Sequence, residues 1–209
     1  MGFQSKMNRR SALRAAWALG LVAAGTVPGA MPAFAYESKW PAKPRVPSDL
    51  NLEELFVELE QGGKGIRVSD VKDAPTVYML FDAQCSWCVW QEAQFEPFFK
   101  KVNFVWFPVA VLSPWSPLQG GAMLADKDPL GAWQRHREHF KDPEFRGLDV
   151  RGMTVPFDAQ TAVWNNSKIY RRAGGRDVPF GVMKLANGRY EAIPEMKREE
   201  FAAVTGIEP

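Results

Sequence analysis

The sequence predicts an α/β fold built around a strand–helix–strand unit, and three observations support this prediction. An apolar run rich in β-forming residues, Thr76–Phe81, is typical of a strand buried on both faces. A helical pattern follows over Cys85–Phe95, and a second apolar run spans Val102–Leu112. The three elements follow one another within about forty residues, as in a βαβ unit. The 209 residues, 46% of them apolar, are enough for one core of this kind.

The first 35 residues have the pattern of a secretory signal peptide. Four basic residues and an uncharged run over residues 15–27 are followed by the Ala-Phe-Ala of residues 33–35, which is typical of a cleavage site. The apolar run is shorter than the roughly 20 residues that span a bilayer. We expect cleavage after Ala35 and export to the periplasm, with an uncleaved amphipathic anchor as the alternative. The segment Asn8–Arg14 resembles a twin-arginine signal, which leaves the export route open.

The charge of the chain is concentrated in this leader. The formal net charge is +2, but the leader holds four basic residues and no acidic one, so the remainder has 22 basic and 24 acidic residues. Neither Arg171-Arg172 nor Lys197-Arg198 exceeds what a solvated helix face carries. We therefore expect no nucleic-acid partner.

Two short segments precede the strand–helix–strand unit. Residues 36–47 contain three prolines and no apolar period, which indicates an extended lead-in. An amphipathic pattern over Ser48–Glu60 predicts a helix capped by Ser48 or Asn51 and stopped by Gly62-Gly63. A hinge or short strand is expected over residues 64–73. The chain is thus divided into a signal peptide (1–35), a lead-in with a linker helix (36–73) and a main domain (74–209).

The segment after the second strand is predicted to be a mostly helical insertion, from Ser113 to Gly174. Its expected helices are 118–125, one opened by Asp128-Pro129 and ending at Phe140, and one opened by Asp158 and ending at Arg172. The chain then closes with a hairpin and a helix. The predicted ranges are a strand over 180–186, a turn at Asn187-Gly188, a strand over 189–193, and a helix over 194–205 ended by Gly206.

The sequence contains only two cysteines, Cys85 and Cys88, and both lie where the helix of the βαβ unit is predicted to begin. The free N–H groups and partial positive charge of a helix start stabilise a thiolate. The pKa of a cysteine placed there can fall from about 8.5 to between ~3.5 and ~7.5. We therefore assign Cys85 as the nucleophile and Cys88 as the thiol that resolves a mixed disulfide. No cofactor is expected besides this redox-active pair.

Four alternative roles for the cysteine pair are a structural bridge, a zinc site, a copper-chaperone site and a place in a non-catalytic clamp. As a structural bridge it would close a four-residue loop, which contributes only ~2 kcal/mol. Zinc would need two further ligands, and the histidines, His136 and His139, suit a solvated face of a helix in the insertion. A copper chaperone would need a histidine that reaches the pair. A non-catalytic envelope clamp would use the same fold without a reactive thiol.

Four motifs occur together between residues 73 and 205. They are Phe81-Asp82-Ala83-Gln84-Cys85-Ser86-Trp87-Cys88, Ser113-Pro114-Trp115-Ser116-Pro117, the segment 125–134 with its Lys-Asp-Pro and Trp-Gln, and Val178-Pro179. In combination they resemble the catalytic domain of the DsbG/DsbC family of thiol:disulfide interchange proteins, most closely its DsbG branch. The resemblance implies a thioredoxin fold in which the helical insertion separates the βαβ unit from the strand that follows a cis proline.

The resemblance also implies a substrate-binding surface beside the cysteines. Pro179 is expected to be cis and to lie against the redox pair, so that the Val178 backbone faces an extended substrate. Trp87 is expected to be exposed and to form an apolar rim with Trp115. Core packing is the alternative role for these tryptophans, and it is the one expected for Trp90.

Asp82, Ser86 and Glu92 are candidates for tuning the pair. Asp82 matches an aspartate of the family, Ser86 lies between the cysteines, and Glu92 lies one turn beyond Cys88, where it could accept a proton. The alternative for Asp82 is a turn residue at a strand end. For Glu92 the alternative is a solvated helix acid, which we favour.

The sequence departs from the family pattern in two ways. The isomerases carry Thr where this chain has Val178, and Gly-Tyr or Pro-Tyr in place of Ser86-Trp87, so the direction of electron flow is left open. The 37 residues between the predicted leader and Asp73 are also too few for the family's dimerisation domain, which favours a monomer. The partners that the resemblance implies are exported cysteine-containing proteins and a membrane electron carrier of the DsbD or DsbB kind.

Overall fold

The computed structural model describes residues 46–209, whose centre is a five-stranded mixed sheet. The strands are β1 (Ile66–Arg67), β2 (Thr76–Asp82), β3 (Asn103–Val109), β4 (Phe180–Lys184) and β5 (Tyr190–Pro194). Their order across the sheet is β1-β3-β2-β4-β5. β2 and β3 run parallel, whereas β1, β4 and β5 are each antiparallel to the strand they join. The predicted signal peptide and nearly all of the lead-in lie outside the described residues.

Helices cover both faces of this sheet. They are α1 (Leu52–Gly62), α2 (Ser86–Phe95), α3 (Ser116–Ala125), α4 (Pro129–Glu138), α5 (Phe157–Arg172) and α6 (Arg198–Thr205). α2 ends at Phe95, as the helical pattern over 85–95 predicted, and a short 3-10 turn that contains Pro97, Glu96–Phe98, follows it. Within residues 46–209 no helix is both long and apolar enough to cross a membrane.

Side chains alternate along β2 between two hydrophobic clusters, as the pleat of a strand requires. Val77, Met79 and Phe81 pack with residues of α2, α4 and α6 on one face. Tyr78 and Leu80 pack with residues of α1 and α5 on the other. β2 is therefore buried on both faces, as its continuous apolar sequence predicted.

Helix caps explain where the helices begin. Asn51, and not Ser48, caps α1, because its Oδ1 accepts the N–H of Glu54 at 3.1 Å. Asp128 caps α4 as predicted, accepting the N–H of Gly131 at 2.9 Å. The prediction that Asp158 opens α5 is wrong by two residues, since Pro156 holds the cap position. Asp158 lies in the first turn instead, where an acid still favours the helix dipole.

Two predicted elements are shorter in the structure for identifiable reasons. The strand predicted over residues 102–112 ends at Val109, because the N–H groups of Val111 and Leu112 turn to the carboxylate of Asp82. The last helix begins at Arg198 and not at Pro194, because Pro194 is still paired with Phe180 in the β4–β5 hairpin.

Candidate active site

Cys85 occupies the N-cap of α2, directly after the turn that ends β2. The turn is closed by the N–H of Cys85, which donates to the carbonyl of Asp82 at 2.9 Å. The backbone of Cys85 is extended, and its Sγ accepts the N–H of Cys88 at 3.3 Å. A cap side chain that accepts a backbone N–H usually carries oxygen. Here sulfur takes that position, at the helix start where the sequence pattern placed Cys85.

The two thiols differ strongly in their electrostatic surroundings. The pKa of Cys85 is lowered, chiefly by the hydrogen bond from the Cys88 side chain and further by the backbone N–H groups of Cys88 and Trp87, against an opposing effect of burial. The pKa of Cys88 is raised well above its usual value, mainly because that thiol is completely buried. Both thiols are free in the structure. The thiolate form is therefore favoured more at Cys85 than at Cys88.

Val178 and Pro179 lie beside the nucleophile. The peptide bond between them is cis, which is the geometry that the resemblance implied. The Cys85 thiol donates to the carbonyl of Val178, with 3.6 Å between sulfur and oxygen. The segment before β4 therefore reaches the sulfur that is expected to react.

The Asp82 side chain connects the end of β2 to the start of the insertion through hydrogen bonds. Its side chain is buried, and its carboxylate accepts four hydrogen bonds, from the N–H groups of Gln84, Val111 and Leu112 and from the hydroxyl of Ser116. Its charge also raises the pKa of both cysteines, although other causes are larger. Asp82 thus combines the turn role with a modest electrostatic influence.

Glu92 is buried, so its favoured interpretation as a solvated helix acid is wrong. Only 2% of the residue is exposed, because α4 covers this side of α2. Its Oε2 lies 2.6 Å from Nε of Arg137. Burial raises the pKa of Glu92 to about 7, while the charge of Arg137 opposes that rise.

His136 is also buried, which corrects the prediction of a solvated face. Its ring stacks on Trp133 at a centroid distance of 5.6 Å and has no exposed surface. One nitrogen, Nε2, lies 2.7 Å from the carbonyl oxygen of Ala83, and the other, Nδ1, accepts the N–H of Leu148 at 3.0 Å. His139, the C-cap residue that follows α4, is exposed. Within residues 46–209 no group of three or more His, Cys, Asp and Glu side chains is placed to hold a metal ion.

Aromatic side chains are partly exposed near the active-site end of the sheet. Trp87 is partly buried and not exposed as expected, because it meets Trp90 edge to face at 5.5 Å; Trp90 is likewise only partly buried. Trp115 is 40% exposed and meets Phe145 edge to face. Ser86, the first residue of α2, is exposed.

Sequence reasoning missed the polar residues of the insertion that hold the segment before Cys85. The Gln84 side chain donates to Oε1 of Gln119 at 2.6 Å, and Gln119 in turn donates to the carbonyls of Arg146 and Leu148. The Arg146 guanidinium reaches back to the carbonyl of Gln84. The spacing of Ser116 and Gln119, three residues apart on one helix face, was the only signal for this network.

Comparison with known proteins agrees with this geometry. No family model matches the sequence. The thiol:disulfide interchange protein DsbG of Escherichia coli (strain K12) is 40% identical over 68 residues, a match that covers 31% of this chain and 27% of the length of DsbG. The chain is therefore similar to DsbG in sequence, as its motifs predicted.

Solved structures confirm the thioredoxin fold. The catalytic domain of Proteus mirabilis ScsC superposes with a TM-score of 0.58 at 16% identity, covering 74% of this chain and 96% of that one. A periplasmic thioredoxin-like protein from Salmonella enterica serovar Typhimurium gives 0.54 at 14% identity, covering 78% of this chain and 97% of that one.

Proposed function

We propose that this thioredoxin-fold chain, similar to DsbG in sequence, is a thiol:disulfide oxidoreductase whose reacting groups are Cys85 and Cys88. The observation that carries the proposal is the contrast between the two thiols. Cys85 caps a helix and has a lowered pKa, whereas Cys88 is fully buried and has a raised one. A thiolate is the attacking species in disulfide exchange. Cys85 is therefore suited to the first attack on a substrate, and Cys88 to the second attack, on the mixed disulfide.

The geometry supports a two-step exchange. The Cys85 thiolate attacks one sulfur of a substrate disulfide, which forms a mixed disulfide and releases the other substrate sulfur as a thiolate. Cys88 then loses its proton and attacks Sγ of Cys85, which breaks the mixed disulfide and releases the second substrate sulfur as a thiolate. The substrate gains two electrons. Of the two protons that convert its thiolates to thiols, one comes from Cys88 and the other from solvent, which took up the proton of Cys85 when that thiol ionised. The Cys85–Cys88 disulfide holds the oxidising equivalent. The reverse sequence oxidises a substrate dithiol.

The surface beside Cys85 fits an extended polypeptide. The carbonyl of Val178, the residue before Pro179, accepts the Cys85 thiol, and we expect a substrate backbone to pair with this segment. The partly exposed Trp87 and Trp115 supply apolar area of the kind that unfolded chains bind. We propose exported cysteine-containing proteins as substrates, in the periplasm, with a membrane electron carrier of the DsbD or DsbB kind restoring the pair.

The polar residues near the pair have separate roles in this proposal. Ser86 is exposed between the cysteines and contributes to the redox potential through the chemistry of the intervening dipeptide. Asp82 contributes a buried negative charge, and Glu92 contributes a buried carboxyl group whose pKa is raised to about 7. The direction of electron flow follows from the potential that results.

Trapping with a defined substrate tests the function. Cys88→Ala removes the resolving thiol, so reaction with insulin should accumulate a mixed disulfide that dithiothreitol releases. Cys85→Ala, the matched control, should form none, and the wild-type chain should reduce insulin catalytically. If the Cys88→Ala variant is folded and forms no adduct, disulfide exchange is not the function.

A further inference from the structure

The segment that runs from the last residue of β2 to the residue before Cys85, Asp82–Gln84, is held at every residue by side chains of the helical insertion. We call it the active-site loop. The Asp82 carboxylate accepts a hydrogen bond from the Ser116 hydroxyl, and the Gln84 side chain donates one to Gln119. The carbonyl of Ala83 lies 2.7 Å from Nε2 of His136. The thiol-disulfide chemistry proposed above uses neither His136 nor its bonds, so the role of this buried imidazole needs an explanation.

Hydrogen bonding fixes the proton on the imidazole. Nδ1 accepts the N–H of Leu148, so it carries no hydrogen, and Nε2 must donate to the carbonyl of Ala83. The ring is neutral in this arrangement, and burial also lowers the pKa of His136, to about 4. It has no room to turn, because it stacks on Trp133 and a Cβ added at Gly147 would collide with it. The imidazole is thus a rigid bridge between Leu148 and the active-site loop.

The hydrogen bond from His136 reaches the main chain at Ala83, two residues before Cys85. Ala83 is 1% exposed, so water cannot easily replace a lost donor to its carbonyl. The next residues close the turn in which the N–H of Cys85 meets the carbonyl of Asp82. The position of Cys85 at the cap of α2 depends on this turn, because the cap requires an extended backbone just before the helix.

We propose that His136 is a positioning residue that holds the Ala83 carbonyl and thereby keeps Cys85 in the cap geometry that activates its sulfur. The inference deepens the proposed function and rests on it, since it assigns a control element of the same site. The neighbouring Arg137 contacts Glu92 in the second half of α2. Helix α4 therefore contacts this part of the chain at two places: the loop before the cap of α2, and the second half of α2.

Two substitutions separate positioning from packing. The amide of His136→Gln can reach the position of Nε2 and still donate to Ala83. The shorter amide of His136→Asn reaches only the position of Nδ1, so it can accept from Leu148 but leaves Ala83 without a donor. Both replace the ring by a smaller polar group, so losses of packing should be similar. His139→Asn, at the exposed position directly after α4, is the matched control.

The readout is the ionisation of Cys85, followed by thiolate absorbance in the ultraviolet and by mass spectrometry of alkylated Cys85 in the reduced chain. We expect His136→Asn to raise the pKa of Cys85 by about one unit and to slow its alkylation at pH 6 roughly tenfold. His136→Gln and His139→Asn should retain the wild-type values. A folded His136→Asn variant with an unchanged Cys85 pKa would overturn the inference, as would an equal shift in the Gln variant.

A measurement on the unmodified chain covers the case in which neither variant folds. Nitrogen NMR of the His136 ring should show a neutral imidazole with its proton on Nε2, and its resonances should shift when the Cys85–Cys88 disulfide forms. A ring protonated on Nδ1, or resonances that do not respond to the redox state, would overturn the inference. Neither readout needs turnover, so a chain that ionises as expected but exchanges no disulfides would contradict only the proposed function.

Discussion

The carboxylate of Glu92 and the guanidinium of Arg137 meet at 2.6 Å between α2 and α4. The two partners are unequally placed, because Glu92 is 2% exposed whereas the Arg137 side chain is 29% exposed. Desolvation therefore acts mainly on the carboxyl group and raises its pKa to about 7, in spite of the positive charge beside it. An acid on the helix that carries the redox pair thus titrates near neutral pH.

The stability of the protein should depend on this acid above pH 5. The folded state keeps a proton on Glu92 up to about pH 7, whereas the unfolded chain loses it near pH 4.5. The free energy of unfolding therefore falls as the pH rises through this interval, and on the order of 2–3 kcal/mol is lost by pH 8. Glu92→Gln, which cannot ionise, should lack this loss. Urea unfolding at pH 5 and pH 8 measures it.

Glu53→Gln, at an exposed position of α1, provides the control, and its pH dependence should match the wild type. If Glu92→Gln loses as much stability as the wild type between pH 5 and pH 8, Glu92 does not titrate there.

His136 should affect stability with the opposite sign. Its folded pKa of about 4 lies below the ordinary 6.5, so the unfolded chain binds a proton that the folded one does not. The free energy of unfolding therefore falls as the pH drops from 6.5 towards 4, by about 3 kcal/mol at most. His136→Gln should flatten this acid slope, while His139→Gln should not. Equal slopes in the wild type and His136→Gln would show that the ring is accessible to protons.

Asp82→Asn should destabilise the fold and disturb the turn before Cys85. The carboxylate accepts three N–H groups and one hydroxyl, whereas an amide would point an NH₂ group at one of these donors. We expect a loss of about 2–4 kcal/mol in the free energy of unfolding. Ser116→Ala removes one donor only and should cost about 1 kcal/mol. A variant Asp82→Asn as stable as the wild type would mean that the four bonds are not maintained in solution.

Local sequence signals were sufficient to predict the βαβ unit and the cap of α4. The βαβ unit follows from the continuous apolar run of β2 and from two cysteines at a helix start. The cap of α4 follows from Asp128 next to a proline. These features depend on residues a few positions apart, so hydrogen-bonding rules and periodicity predict them.

Local signals were not sufficient for Glu92 and His136. Each lies next to polar or charged residues on a helix, which is the pattern of a solvated face. Their burial depends on α4 packing against the sheet through Trp133, whose ring lies 4.6 Å from that of Phe81 and 5.9 Å from that of Trp106. Such packing joins residues far apart in the chain, and neither the composition nor the period of the helix records it.

Val178→Thr should change redox behaviour with little effect on folding. The substitution keeps the branched shape and adds a hydroxyl beside the carbonyl that accepts the Cys85 thiol. Because Val178 is only partly buried, water can satisfy the new hydroxyl. We expect the equilibrium with glutathione to move by up to about tenfold, which is about 30 mV. A large drop in thermal stability with an unchanged potential would mean that Val178 is only a packing residue.

The reactivity of the two thiols towards iodoacetamide at pH 6 tests the assignment of the redox pair most directly. Cys85 has the lowered pKa and Cys88 the raised one, and the rate of alkylation follows the fraction of thiolate. Peptide mass spectrometry of the reduced protein should therefore find Cys85 modified first, at a rate at least about tenfold above that of Cys88. Preferential modification of Cys88, or equal rates at the two thiols, would contradict the assignment of Cys85 as the nucleophile.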